Sequence, residues 1–177
     1  YNIEERANRN KEYRLDFVTL DKSEDSAAGK LAISILPGRK DHQRSLEDDI
    51  RVIKEHKIKK LMCLCTQFEV ENESLETLRK ALGKEGVDSL LFPIPKGVVP
   101  SFTVAKHLCE WLVDAIDHHQ ENVLLVSKSG LGRPGVLAAC LIIYRDLKIE
   151  PQTAISLVRN GRGPRALDSE GEVAFIN

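Results

Sequence analysis

Apolar residues along the chain alternate between short continuous runs and helix-like spacings. The runs predict buried strands, because each is only a few residues long and ends at a turn signal such as Pro37-Gly38. The helix-like spacings repeat every three or four residues, as in Leu75, Leu78 and Leu82. Strands are predicted at 30–36, 60–65, 87–94 and 123–126, and helices at 45–56, 74–82 (ended by Gly83), from Ser101, at 134–147 and at 151–159.

This alternation of strand and helix predicts an α/β fold with a central, mostly parallel sheet flanked by helices on both faces. Residues 1–29 are mostly polar, so we expect an irregular N-terminal arm there and a single domain over 30–177. In sheets of this kind, ligands bind beyond the carboxyl ends of the strands. The segment 127–133 follows a predicted strand and is therefore the first candidate for a functional site.

The stretch VSKSGLGRPG, residues 126–135, reads as a strand end, a glycine-rich loop and the start of an apolar helix. Gly130 and Gly132 permit close backbone approach, and the helix start adds partial positive charge, so that an anion can be held by backbone N–H groups. Arg133 adds a planar fork of donors suited to an oxyanion. The predicted phosphate-binding residues are Ser127, Lys128, Ser129, Gly130, Leu131, Gly132 and Arg133.

Two observations leave room for other interpretations of this loop. Glycines between a strand and a helix can simply make a turn, although Arg133 favours the anion site. Pro134 suits a helix start but disfavours the α conformation for the residue before it, so the orientation of Arg133 stays open.

Composition limits the partners. The 177 residues include 26 basic and 27 acidic side chains, for a net charge of −1, which gives no reason to expect nucleic acid or a membrane as a partner. No apolar run is long enough to span a bilayer and the start is not signal-like. Because the chain begins with Tyr1, we expect an excised domain or a processed form.

The four cysteines, Cys63, Cys65, Cys109 and Cys140, lack the spacing of a zinc site or a disulfide framework. We therefore expect no metal, no cofactor and a reducing compartment, the cytoplasm or the nucleus. Cys63 and Cys65 point the same way from one strand, which fits either a redox pair or, better, two buried structural thiols.

Several segments, in this order, resemble the cysteine-dependent dual-specificity protein phosphatases. They are LPG at 36–38, CLCT at 63–66, FPIPKGVVP at 92–100, the loop at 124–135 and the stretch 151–166. GLGR followed by AACLIIY is most similar to the kinase-associated phosphatase (cyclin-dependent kinase inhibitor 3) type. The similarity covers about residues 30–168 and implies a protein tyrosine phosphatase-like fold.

At the positions that match the family's catalytic groups, this chain carries other residues. The nucleophilic cysteine is replaced by Ser127, and the histidine before it by Val126. The general-acid aspartate is replaced by Lys96, the hydroxyl residue after the arginine by Pro134, and the water-positioning glutamine by Asp168. A serine hydroxyl ionises far less readily than a thiol, and a lysine with its ordinary pKa of about 10.4 is a poor acid at neutral pH. We therefore expect no catalytic residues and a protein that is not an enzyme.

Three functions follow from these replacements. The favoured one is a pseudophosphatase that binds a protein partner, such as a phosphoprotein or a kinase, and regulates it by binding. Loss of the thiolate favours this function, because a unit charge about 4 Å from a phosphate repels it by about 4 kcal/mol. Lys96 and Lys128 are expected to add positive charge at the rim of the phosphate pocket. The alternatives are an active dual-specificity or tyrosine phosphatase in which serine has replaced the cysteine, and a scaffold or kinase-docking module with a vestigial pocket.

Other conspicuous residues favour ordinary structural roles. His118 and His119 follow a helix end without ligand spacing, which is typical of solvated residues. Trp111 lies on an apolar helix face and is predicted to join the core. The basic stretch 159–165 fits either recognition of an acidic or phosphorylated partner or a solvated turn.

Overall fold

A computed structural model describes residues 12–20, 29–70, 74–167 and 175–176. The strands are β1 (Asp16–Val18), β2 (Leu31–Ile35), β3 (Ile58–Cys63), β4 (Asp88–Leu91) and β5 (Asn122–Ser127). The helices are α1 (Leu46–Glu55), α2 (Leu75–Lys84), α3 (Phe102–Val113), α4 (Arg133–Arg145) and α5 (Pro151–Arg162). Short 3₁₀ turns cover Lys40–His42 and Phe68–Val70, and a π-helical turn, Asp114–His118, continues α3.

The strands form one sheet in the order β1-β2-β5-β3-β4. Among the strands of the described residues, only β1 is antiparallel to its neighbour, so the predicted mostly parallel α/β sheet is confirmed. Ser127 pairs with Ile35 of β2, and Val126 pairs with Cys63 of β3. The carboxyl ends of these three strands therefore meet at one edge of the sheet, and the glycine loop starts there.

Apolar side chains cover both faces of the sheet, as expected for parallel strands. Along β5, Val123 and Leu125 belong to one core cluster, whereas Leu124 and Val126 belong to the other. Helices α3, α4 and α5 pack on the first face, and α1 and α2 on the second. Trp111 is partly buried against the first cluster, as predicted.

The prediction of an irregular N-terminal arm is wrong for residues 16–18, which form β1 at the edge of the sheet. Long-range contacts hold this segment in place. The Tyr13 hydroxyl donates to the carbonyl of Ile35 at 2.6 Å, and the Ser34 hydroxyl donates to the carbonyl of Arg14 at 2.5 Å. A strand this short has no recognisable periodicity, so only tertiary contacts reveal it. The rest of the arm, 1–11 and 21–28, lies outside the described residues, and the boundary at residue 30 stays a prediction.

Most predicted elements are found, with shifted ends. The strand expected at 60–65 runs from Ile58 to Cys63. Helix α2 continues through Gly83 to Lys84, and the chain turns at Gly86, whose φ is +80°. Gly83 sits in open space and does not end the helix, because an interior glycine weakens a helix without breaking it. None of the described helices has the length and apolar character needed to cross a membrane.

Candidate anion-binding site

The loop 128–132 links the end of β5 to the start of α4. Ser127, the last residue of β5, is buried, and its hydroxyl oxygen accepts a hydrogen bond from the backbone N–H of Gly130 at 2.9 Å. Because this bond uses the oxygen, the hydroxyl hydrogen of Ser127 remains available for another acceptor. The side chain therefore lies at the base of the loop as a neutral hydrogen-bond donor.

Gly130 is required by the way the loop packs on the sheet. Its φ is +69°, and a Cβ there would lie 2.6 Å from the carbonyl oxygen of Ser34 in β2. Both the left-handed conformation and the close approach exclude larger residues. The sequence expectation that glycine allows a tight turn here is thus consistent with the observed geometry.

Two arginines from outside the loop hold three consecutive loop carbonyls. Arg39 donates to the carbonyl of Lys128 at 2.8 Å. Arg162 donates to the carbonyls of Ser129 at 3.1 Å and Gly130 at 2.8 Å. In a trans peptide the C=O and the next N–H point in opposite directions, so the N–H groups of residues 129–131 face away from these arginines. The Gly130 N–H that reaches Ser127 follows this rule, so the N–H groups of Ser129 and Leu131 lie with it on the side of the loop opposite the two arginines.

The same arginines are anchored by carboxylates. Arg39 pairs with Asp41, with both hydrogen bonds at 2.7 Å, and Arg162 pairs with Asp16 of β1 at 2.6 Å. The loop is consequently tied to the β2–α1 connection, to α5 and to the edge strand. The shape of the loop therefore depends on elements from distant parts of the chain.

The sequence allows two interpretations of the basic stretch 159–165, recognition of an acidic or phosphorylated partner or a solvated turn, and neither fits two of its arginines. Arg159 donates to the carbonyls of Ala166 and Leu167 at 3.0 and 2.7 Å, and Arg162 binds the glycine loop. Both guanidinium groups donate hydrogen bonds to backbone carbonyls of the protein itself. Arg165 is exposed.

Arg133 is the first residue of α4, and its side chain points into the protein despite the proline that follows. Its Nη1 donates to the carbonyls of Ile94 at 2.8 Å and Leu64 at 3.3 Å. Its two terminal nitrogens also form a bidentate pair with the carboxylate of Glu69, with Nη2 to Oε2 at 2.8 Å. No described residue accepts a hydrogen bond from Nε or from the second Nη2 hydrogen. The Nε/Nη2 edge of the guanidinium therefore carries two donors without an acceptor among the described residues, a pattern that matches two oxygens of an oxyanion.

The Glu69–Arg133 pair is buried, with side-chain exposures of 12% and 7%. Burial alone would raise the pKa of Glu69, but hydrogen bonds from Arg133 and from the Thr66 N–H lower it below its ordinary value. Burial opposes the charge of Arg133 as well, yet the bond to Glu69 raises its pKa. Both groups are therefore ionised at neutral pH, and Glu69 fixes the guanidinium in one orientation.

The other described residues that the sequence analysis assigns to the site lie outside the contacts of Ser127, Gly130 and Arg133 given above. Lys96 is exposed in the loop after β4, two positions after Ile94, whose carbonyl binds Arg133. Lys128 is half-buried and close enough to Asp41 to lower the pKa of that carboxyl, secondarily to the bond from Arg39. Val126 and Pro134 are buried. Asp168 lies outside the described residues.

Cys63 and Cys65 are both buried in one core cluster, so the prediction that they share a face is confirmed. The hydrogen bond between the thiols, together with burial, raises the pKa of Cys65. His118 and His119 are exposed and lie 3.3 and 3.5 Å from the carboxylate of Asp114. The described part of the chain holds no group of three or more histidines, cysteines or carboxylates suited to a metal ion.

Sequence reasoning did not single out Glu69, Arg39 or Asp16. Glu69 lies among other acidic residues in the segment TQFEVENE, and nothing in the local pattern distinguishes it. Arg39 directly follows the LPG segment, which carries part of the resemblance. This position is the only signal in the sequence that points to Arg39. Arg162 was noticed as a basic residue, but its role in holding the loop depends on the packing of α5.

Residues 4–155 match the family model described as Cyclin-dependent kinase inhibitor 3 (CDKN3). The chain belongs to this family. The cyclin-dependent kinase inhibitor 3 proteins of Rattus norvegicus and Mus musculus are 29% and 30% identical to it over 149 residues, which is 83% of this chain and 70% of each relative. The resemblance to the kinase-associated type of dual-specificity phosphatase is confirmed.

A solved structure supports the same relationship. The crystal structure of kinase-associated phosphatase, with its catalytic-site cysteine substituted by serine, matches with a TM-score of 0.85 and 25% identity. The match covers 95% of this chain and 94% of the crystallised chain. The predicted protein tyrosine phosphatase-like fold of this cyclin-dependent kinase inhibitor 3 family member is thereby confirmed.

Proposed function

We propose that this domain is a pseudophosphatase that binds the phosphate of a phosphorylated protein partner and regulates the partner by occupancy. One observation carries the proposal: the buried Arg133, at the start of α4, has an Nε/Nη2 edge from which no described residue accepts a hydrogen bond. A phosphate oxyanion satisfies such donors. The hydroxyl hydrogen of Ser127 supplies one more donor at the base of the loop.

Two features argue against hydrolysis. Ser127 is a neutral hydroxyl that already accepts a bond from Gly130, and an unactivated serine is a weak nucleophile. At the position that we align with the family's general acid stands Lys96, an exposed ammonium group. A neutral hydroxyl also avoids the repulsion that a thiolate would exert on a phosphate dianion. The same replacement that removes the nucleophile therefore favours tight binding of phosphate.

The partner that we propose is a phosphorylated kinase. The relatives are named cyclin-dependent kinase inhibitor 3 and kinase-associated phosphatase, so that association with kinases is part of the family's description. Regulation by binding requires that the partner's phosphate be shielded rather than removed.

Isothermal titration calorimetry with phosphate, tungstate and phosphopeptides tests the binding. We expect the unmodified chain to bind each of these anions. Arg133→Lys keeps the charge but cannot offer a planar edge, so it should weaken binding at least about tenfold. Arg79→Lys, in an exposed ion pair on α2, is the matched control and should bind normally. No binding by the unmodified chain, or equal binding by both variants, would contradict the proposal.

An assay with an aryl phosphate separates the favoured function from an active phosphatase in which serine has replaced cysteine. That alternative deserves a test because the crystallised kinase-associated phosphatase carries such a substitution. We expect no turnover by the unmodified chain and none by Ser127→Cys, with activity only after the further change Lys96→Asp. Turnover by Ser127→Cys alone would favour the alternative.

A further inference from the structure

The described residues include a small set of large apolar side chains that remain exposed: Phe68, Val98, Phe102, Tyr144 and Leu147. The first three belong to segments around the candidate site. Phe68, 85% exposed, adjoins the carboxylate partner of Arg133. Val98 lies in the loop whose Ile94 carbonyl accepts from Arg133, and Phe102, 79% exposed, starts the helix that follows this loop.

The backbone around Phe68 and Val98 is held by hydrogen bonds. On one side of Phe68, the Gln67 side chain accepts from the N–H of Leu75 at 3.1 Å; on the other, the Glu69 carboxylate accepts from the N–H of Thr66 at 2.7 Å. The N–H of Val98 donates to the carbonyl of Pro95 at 3.0 Å. Phe68 thus stands on a segment held by hydrogen bonds, next in sequence to the buried carboxylate that pairs with Arg133, while Val98 and Phe102 follow Ile94, whose carbonyl accepts from Arg133. Exposed apolar side chains on the segments that carry one site are typical of an interaction surface.

We propose that the anion bound at Arg133 belongs to a phosphorylated protein segment whose bulky apolar residues, next to the phosphorylated one, pack on Phe68, Val98 and Phe102. The inference rests on the proposed function and specifies its ligand. A free phosphate or a small polar phosphate ester would leave Phe68, Val98 and Phe102, which we call the apolar rim, in water. A phosphopeptide with apolar flanks covers Phe68, Val98 and Phe102 and delivers its charge to Arg133 and the loop 128–132.

Leu147 provides a matched control. It is 84% exposed, as much as Phe68, but it follows the far end of α4 from the loop. Phe68→Ala, Phe102→Ala and Leu147→Ala are compared in calorimetry with three probes: inorganic phosphate, phosphopeptides with leucine and phenylalanine beside the phosphorylated threonine or tyrosine, and the same peptides with glycine and serine there. Urea unfolding checks that each variant is folded.

We expect the unmodified chain and Leu147→Ala to bind the apolar peptides about tenfold more tightly than the polar ones. Phe68→Ala and Phe102→Ala should lose this preference while binding inorganic phosphate as before. Equal binding of both peptide series, or equal losses in all three variants, overturns the inference and leaves the proposed function standing. If neither phosphate nor any peptide binds, the proposed function itself fails.

Sedimentation of the same samples tests whether a second copy of the chain, rather than a phosphopeptide, occupies the apolar rim. We expect a monomer for the unmodified chain and for the three variants. A dimer that Phe68→Ala dissociates would assign the rim to self-association and would overturn the inference.

Discussion

Replacing Glu69 by alanine should lower the free energy of unfolding by about 3 kcal/mol, the lower end of the range for breaking a buried ion pair. The change leaves the guanidinium of Arg133, only 7% exposed, without a counter-charge. We choose the lower end because Arg133 keeps its bonds to the carbonyls of Leu64 and Ile94. The loss should be measured by urea unfolding, followed through the fluorescence of the single tryptophan, Trp111.

The effect has a defined pH dependence. The folded-state pKa of Glu69 lies below the ordinary value of 4.5, because hydrogen bonds from Arg133 and Thr66 outweigh burial. A group with a lowered pKa stabilises the fold fully above its unfolded pKa and loses that contribution as the pH falls through the folded value. The difference between the unmodified protein and Glu69→Ala should therefore be constant from neutral pH down to about pH 5.5 and shrink below about pH 4.5.

Glu76→Ala is the control, because Glu76 forms an ion pair with Arg79 in which both side chains are about half exposed. Such pairs contribute little, so no measurable change is expected. The reasoning would be refuted if the two alanine variants were equally stable at neutral pH. It would also be refuted if the deficit of Glu69→Ala persisted undiminished in acid.

Three further perturbations test the loop and its supports. Gly130→Ala should lower the midpoint of thermal unfolding and weaken tungstate binding, because the φ of Gly130 is +69° and an added Cβ would lie 2.6 Å from a backbone oxygen. The control is Gly83→Ala, at a position in open space on α2, which should stabilise the protein by about 0.5–1 kcal/mol in the same unfolding experiment. Tyr13→Phe should cost about 1 kcal/mol in urea unfolding, because its buried hydroxyl donates to a carbonyl of β2 at 2.6 Å. Arg162→Met removes the bonds to Asp16 and to two loop carbonyls, so amide hydrogen exchange, followed by mass spectrometry, should accelerate in β1 and in 128–132.

Each of these predictions has a clear contrary result. Equal midpoints for the unmodified protein and Gly130→Ala would show that the loop tolerates a side chain. An unchanged stability of Tyr13→Phe would mean that the bond from the Tyr13 hydroxyl to β2 contributes nothing to the stability of the fold. Unchanged exchange in Arg162→Met would show that the loop keeps its shape without α5.

Local patterns determine the layered architecture and the place of the candidate site. Continuous apolar runs and three-to-four spacings predict the strands and helices of the sheet because each pattern matches the period of one kind of backbone. The glycine loop follows from the same logic, since Gly130 and the adjoining helix start are neighbours in sequence. The resemblance alone predicts that Ser127 stands at the position of the family's nucleophilic cysteine. All of these inferences depend on residues close together in the chain.

The tertiary structure decides which carboxylates the buried arginines pair with. Glu69 and Arg133 are 64 positions apart, and Asp16 and Arg162 are 146 positions apart, so no local pattern can pair them. The strand β1 exists for the same reason, because its three residues gain order from β2 and α5 rather than from their own propensity. A buried charge needs a partner, and which carboxylate supplies it depends on which elements the packed core brings together.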